Sequence, residues 1–134
     1  MTQREAQFVK LEDGGDMRGV LFGVPMSLFE SLGPVGDFHF GEICSGSMHG
    51  NHAHLGNSEL LLVKWKDRVQ IAYDNGADQF PIVVELEGSG AAALLLPPGC
   101  AHAIRNTGEA VMEFISMPSA PFDTKDIVRR KVLG

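Results

Sequence analysis

Cationic side chains are scarce: 11 lysines and arginines stand against 17 aspartates and glutamates, a formal net charge of −6. That balance argues against a nucleic-acid partner and, more mildly, against a polyphosphate ligand. Cysteine is nearly absent, with only Cys44 and Cys100. No disulfide framework is therefore expected, and a cytoplasmic protein with reduced thiols is the simplest expectation. No apolar run approaches membrane-spanning length, so no membrane partner is expected. The start, Met1-Thr2-Gln3-Arg4-Glu5-Ala6, lacks the hydrophobic stretch of a secretory signal. Long helical periodicity, internal repeats and linkers are missing too.

What is there is apolar and evenly spread. Hydrophobic residues make up 44 % of the 134, enough for one domain with a substantial core. The whole chain, 1–134, reads as that single domain. Strand candidates fall at residues 7–11, 18–25, 37–44, 60–65, 68–73, 80–86, 91–96 and 111–116. The segment Leu60-Leu61-Leu62-Val63-Lys64-Trp65 reads as a strand buried on both faces. Asp74-Asn75-Gly76 and Thr107-Gly108 supply turns. Residues 26–32 suit one helical turn, with Ser27 as its cap and Gly33-Pro34 as its stop. The tail at 121–130 reads as a short helix or an edge strand. Many short strands at regular spacing predict an all-β sandwich or barrel with at most one or two short helices. Cys44, Trp65 and Phe114 are expected in its core.

Two stretches carry the chemistry. In the first, His52 and His54 stand two apart, so an extended backbone points both to one face. A turn at Leu55-Gly56-Asn57 would bring Glu59 back beside them on the next strand. Imidazole and carboxylate together suit a divalent transition metal. In the second, Pro97-Pro98-Gly99 makes a turn and His102 follows it.

On these residues the chain resembles the cupin superfamily. Its first motif, G-x5-H-x-H-x3,4-E-x6-G, is met by Gly46, His52, His54 and Glu59 within residues 46–66, with Lys66 in place of the closing glycine. Its second, G-x5-P-x-G-x2-H-x3-N, is met by Pro97, Gly99, His102 and Asn106 within residues 90–106, with Gly90 one residue early. The resemblance implies a double-stranded β-helix, the jelly-roll barrel. It implies that His52, His54, Glu59 and His102 hold one divalent transition metal, be it iron, zinc, nickel or manganese. It also implies a homodimer, with Phe8, Val20, Phe22, Ile127 and Val132 available near the chain ends for the contact.

Within the superfamily, His49-Gly50-Asn51-His52-Ala53-His54 looks like the R-G-x-H-x-H signature of the sugar-nucleotide ketoisomerases and epimerases. Residues 122–129 resemble the aromatic-D-x-x-D-I-x-R ending of the ketoisomerases. His49 replaces the signature arginine, removing a guanidinium suited to diphosphate. The ketoisomerases usually lack counterparts of Glu59 and His102.

These resemblances imply a metal-dependent isomerase or epimerase acting on a small-molecule substrate, a sugar or a keto/enol metabolite. The metal would polarise a carbonyl while a histidine moves a proton. His49 and Tyr73 are the candidate catalytic residues, with His39 a further one. The plainer readings are a solvated loop for His49 and a strand face for His39. An iron-dependent dioxygenase is the alternative enzyme, because the same ligands support oxygen chemistry. A non-catalytic small-ligand-binding protein is the alternative outside enzymes. Cys100 reads as a small buried apolar residue or as a thiol near the metal. Arg105 is expected at the surface.

Overall fold

The computed structural model describes residues 5–134, and its strands follow the apolar segments of the sequence. They are β1 (Gln7–Leu11), β2 (His39–Ile43), β3 (Met48–His54), β4 (Glu59–Trp65), β5 (Arg68–Tyr73), β6 (Ile82–Glu87), β7 (Gly90–Leu96), β8 (Ala101–Asn106), β9 (Met112–Pro118) and β10 (Ile127–Arg129). One α-helix, α1 (Met26–Leu32), and one 3-10 turn (Thr124–Asp126) complete them. The strands form two five-stranded antiparallel sheets, ordered β1-β7-β4-β9-β2 and β10-β3-β8-β5-β6. This is the expected all-β jelly-roll architecture.

The apolar run at 60–65 becomes β4, paired on both edges by β7 and β9. Alternation splits its side chains between two cores. Leu61, Val63 and Trp65 join Leu94, Leu96, Ile71 and Ile104 between the sheets. Leu60 joins Leu95, Ala93 and Met117 on the outer face of the first sheet, beneath Leu28 and Leu32 of α1. The second sheet is thinner on its outer face. Its alanines Ala53, Ala72, Ala101 and Ala103 are covered by Val132 and Leu133 of the tail.

Several local expectations are corrected. Residues 18–25 form no strand; only isolated bridges, Asp13 with Phe22 and Asp16 with Gly19, mark a loose hairpin. Gly19, Gly23 and Pro25 interrupt it, and the Asp13 carboxylate accepts from the amides of Gly15 and Leu21 where a ladder would have run. Ser27 lies inside α1 and caps nothing, because Pro25 starts the helix with no side-chain cap. Gly33 ends it at φ 82°, a left-handed geometry natural to glycine. Cys44 is exposed rather than core, since β2 ends at Ile43, which takes the buried position. The tail is both things expected of it: the 3-10 turn, then β10 on the edge beside β3. Among the residues offered for a dimer contact, Val132 is buried in its own chain, Phe8 stacks on Tyr73, and Val20 is exposed. No helix among the described residues is long and apolar enough to cross a membrane.

Candidate functional site

The two motifs meet because β3 and β8 are neighbours in the second sheet. His52 lies directly opposite His102 in the register, and their rings stand edge-on with centroids 4.8 Å apart. The second motif's turn also fixes the first: the Gly99 amide donates to the His54 carbonyl at 2.7 Å. Asn106 holds the far end of β8 by donating to the carbonyls of Ile43 and Ala110.

Glu59 returns on β4, as the turn at 55–57 predicts, but β4 belongs to the other sheet. The carboxylate therefore meets the imidazoles from across the barrel. Ligand atoms of His52, Glu59 and His102 all lie within 4.8 Å of one another. His54 Nε2 is 3.3 Å from Glu59 Oε1, and its Nδ1 is 3.0 Å from Asp126 Oδ2. His54 thus stands between two carboxylates at the edge of the trio. Ser116, on β9, donates its hydroxyl to Glu59 Oε2 at 2.5 Å and leaves Oε1 turned to the histidines. Among the described residues Glu59 Oε1 and His102 Nδ1 are buried with no aligned hydrogen-bond partner.

The electrostatics follow from that packing. Burial, reinforced by His102, pushes His52 down to about 4, so the ring is neutral near pH 7. Burial likewise lowers His102. His54 is raised, chiefly by the Glu59 carboxylate and further by Asp126. For Glu59, burial works toward the neutral acid, but His102, His54 and the Ser116 hydroxyl outweigh it and hold the group ionised. Two neutral imidazoles, His52 and His102, beside the ionised Glu59 carboxylate make a donor set ready for a cation. The residues present fit a divalent transition metal.

The His49 backbone is not in a loop. It is in β3, opposite Ile104. The register shifts between Gly50 and His52, leaving Asn51 as an extra residue at φ 59°. That bulge turns His49 to the same side as His52, although the two are three residues apart. The His49 ring packs on Phe114 with centroids 4.7 Å apart. His39 also faces inward, 3.7 Å from Asp37. All five histidines of the chain line one cavity of about 300 Å³, with Glu59, Ser116, Phe114 and Phe122 beside them. Tyr73 does not line it; its ring stacks on Phe8 in the core between the sheets. Cys100 is buried in that same core. Arg105 is part-exposed and reaches Gln70 and the Gly134 carbonyl. Ser116 and Asp126 join the site although neither motif contains them. Their sequence signals were a hydroxyl inside an apolar strand and a carboxylate in the ketoisomerase-like ending.

No protein-family model matches the chain, and no curated protein does. Solved structures do. The chain is similar to NovW, a 4-keto-6-deoxy sugar epimerase from Streptomyces spheroides, at 13 % identity and a TM-score of 0.74, over 96 % of this chain and 70 % of that one. It is similar to a dTDP-6-deoxy-D-glucose-3,5-epimerase from Legionella pneumophila at 18 % identity and TM-score 0.70, over 96 % and 74 %. It is also similar to QdtA, a sugar 3,4-ketoisomerase from Thermoanaerobacterium thermosaccharolyticum, at 15 % identity and TM-score 0.64, over 96 % and 90 %. At these identities the likeness shows the shared jelly-roll fold.

Proposed function

We propose that the protein is an isomerase or epimerase acting on a carbonyl-bearing sugar or a related small oxygenated metabolite, with one divalent transition metal at His52, Glu59 and His102. The observation that carries this is the gathering of every histidine in the chain around one cavity. The fold it shares with sugar epimerases and a ketoisomerase supports the reaction class.

His52, Glu59 and His102 would hold the divalent ion, which when bound would supply Lewis-acid polarisation of a carbonyl oxygen. The chain's residues do the rest. His54, clamped by Asp126, completes the ring of donors beside Glu59. His49 lies exposed at the mouth on Phe114, where it takes a proton from the carbon next to the carbonyl. Return of that proton to the other face, or to the neighbouring carbon, gives the epimer or the isomer. Phe122 and Leu61 line the apolar wall and limit water. Within this proposal the protein works as a homodimer, the exposed Val20, Leu21 and Phe40 of the first sheet's outer side being available for the contact.

The test is anaerobic incubation in D2O with TDP-4-keto-6-deoxyglucose and with free ketoses, following deuterium at carbons beside the carbonyl by NMR. Exchange above the uncatalysed rate, lost in the His52→Ala, His102→Ala double variant along with bound metal, is the expected result. No exchange with any of them overturns the reading. Two imidazoles and one carboxylate also favour a second reading, an iron-dependent oxygenase. That reading requires about one equivalent of iron and substrate-dependent oxygen uptake.

A further inference from the structure

We propose that Asn51 is a positioning residue that places His49 in the cavity, and that the chain's own tail holds it in place. The inference rests on the reading of His49 as the proton carrier, and it adds what determines where that histidine points. Three observations carry it. Asn51 is the one described non-glycine residue with positive φ, at 59°. It is the extra residue at the bulge, so without it the strand upstream would shift by one place. A one-residue slip turns every side chain to the opposite face, which would carry His49 out of the cavity.

The tail supplies the restraint. Asn51 Oδ1 accepts from the amides of Val132 at 2.9 Å and Leu133 at 3.1 Å. Its Nδ2 donates to the Leu133 carbonyl at 3.0 Å. The Asn51 carbonyl accepts from the Arg130 amide at 3.0 Å. Asparagine is among the few side chains that tolerate the left-handed region, and its amide both accepts and donates. Gly50 makes room for the same bulge: a Cβ there would lie 2.5 Å from the His102 carbonyl oxygen. The bulge is thus pinned from one side by β8 and from the other by residues 132 and 133.

The test uses Asn51→Gly, which keeps the backbone permissive but removes the side-chain bonds, and Asn51→Asp, which keeps the two bonds accepted from the tail amides but loses the one donated to the Leu133 carbonyl. Each is read by the NMR shifts of the His49 ring protons, assigned with His49→Gln. In the folded wild type the ring current of Phe114, with its centroid 4.7 Å from that of His49, should shift them from their random-coil positions. We expect Asn51→Asp to keep that shift and Asn51→Gly to lose most of it, with other resonances dispersed as before. Deuterium incorporation into TDP-4-keto-6-deoxyglucose should fall about tenfold or more in Asn51→Gly alone. Wild-type His49 shifts in Asn51→Gly overturn the proposal. Loss of the shift with undiminished exchange keeps the positioning and overturns His49 as proton carrier.

Discussion

The two sheets bury their inner faces against each other, yet they are built from different residues. At the centre of the first, β4 and β7 present Leu60, Leu61, Leu94, Leu95 and Leu96, all nearly inaccessible. At the centre of the second, β3 and β8 alternate histidines on the inner face with alanines on the outer. The outer covers differ in the same way. Helix α1 and the hairpin residues Phe22 and Val24 lay a second apolar core on the first sheet. The second sheet has two apolar tail residues and an ion pair between buried Asp74 and part-exposed Arg130. One sheet thus supplies most of the apolar burial, while the other gives up bulk to carry imidazoles. Small outer residues let the tail approach closely enough to hydrogen-bond the bulge of β3.

One of the two largest expected effects comes from breaking the thin cover. Asp74 Oδ1 and Oδ2 accept from the Arg130 guanidinium at 2.8 and 2.9 Å, and Oδ1 also accepts from the amides of Gly76 and Ala101. Asp74→Ala should cost about 2–4 kcal/mol in urea unfolding at pH 7, because it leaves the buried Gly76 and Ala101 amides without their acceptor and takes the carboxylate partner from the part-exposed Arg130. The pH dependence has a definite sign. Burial pushes Asp74 up, but Arg130 and the two amides outweigh it and hold its carboxyl below the usual range. Its contribution is therefore full above the unfolded-state pKa of about 4 and is lost as pH falls through the lower folded-state value. The gap between wild type and Asp74→Asn should narrow over that acid window; a gap unchanged down to pH ~2 would refute the assignment.

The thick sheet gives the other. Leu94 is fully buried between Leu61, Val63 and the facing sheet. Leu94→Ala should cost about 2–5 kcal/mol, through lost burial and the cavity left behind. The His52 and His102 resonances should stay where they are in the folded variant. If they move, the two sheets are not divided in labour as described.

A smaller effect sharpens the contrast from the other side. Ala103→Leu adds bulk to the outer face under Val132 and Leu133. Overpacking there should cost about 1–3 kcal/mol and loosen the tail, read as faster amide hydrogen exchange at residues 130–133. An equal insertion on the exposed edge strand, Val83→Leu, should change stability by less than about 0.5 kcal/mol.

The sequence made one half of this division more legible than the other. An apolar run such as 60–65 states its own burial, and the H-x-H spacing states that two imidazoles share a face. The two motifs together named His52, His54, Glu59 and His102; three of these converge, while His54 stands at their edge between Glu59 and Asp126. The position of His49 was not legible. Simple alternation puts residues 49 and 52 on opposite faces, and only the bulge at Asn51 reverses that. Asp126 and Ser116 come from other strands and elements, so their contacts with His54 and Glu59 depend on how the sheets close. Tyr73 reads as a lone reactive phenol before a turn, yet its strand packs it on Phe8. Residues 18–25 had strand-like composition but too many glycines to hold a ladder.

A small expected effect on stability belongs to the residue with the largest expected effect on chemistry. His49 is exposed, and its one ring contact in the structure is with Phe114. His49→Ala should therefore cost less than about 1 kcal/mol in urea unfolding, the worth of an exposed aromatic contact. The same change should lower the deuterium exchange rate by about 10²–10⁴, the usual contribution of a general acid or base. Bound metal should remain, since the trio of ligands is untouched. The two numbers together decide the point. A stable, metal-loaded and inactive variant would show that the second sheet carries the proton transfer on a side chain that the fold does not need. A stable variant with full activity would move the proton carrier to His39, the other histidine near the mouth that stands outside the donor set.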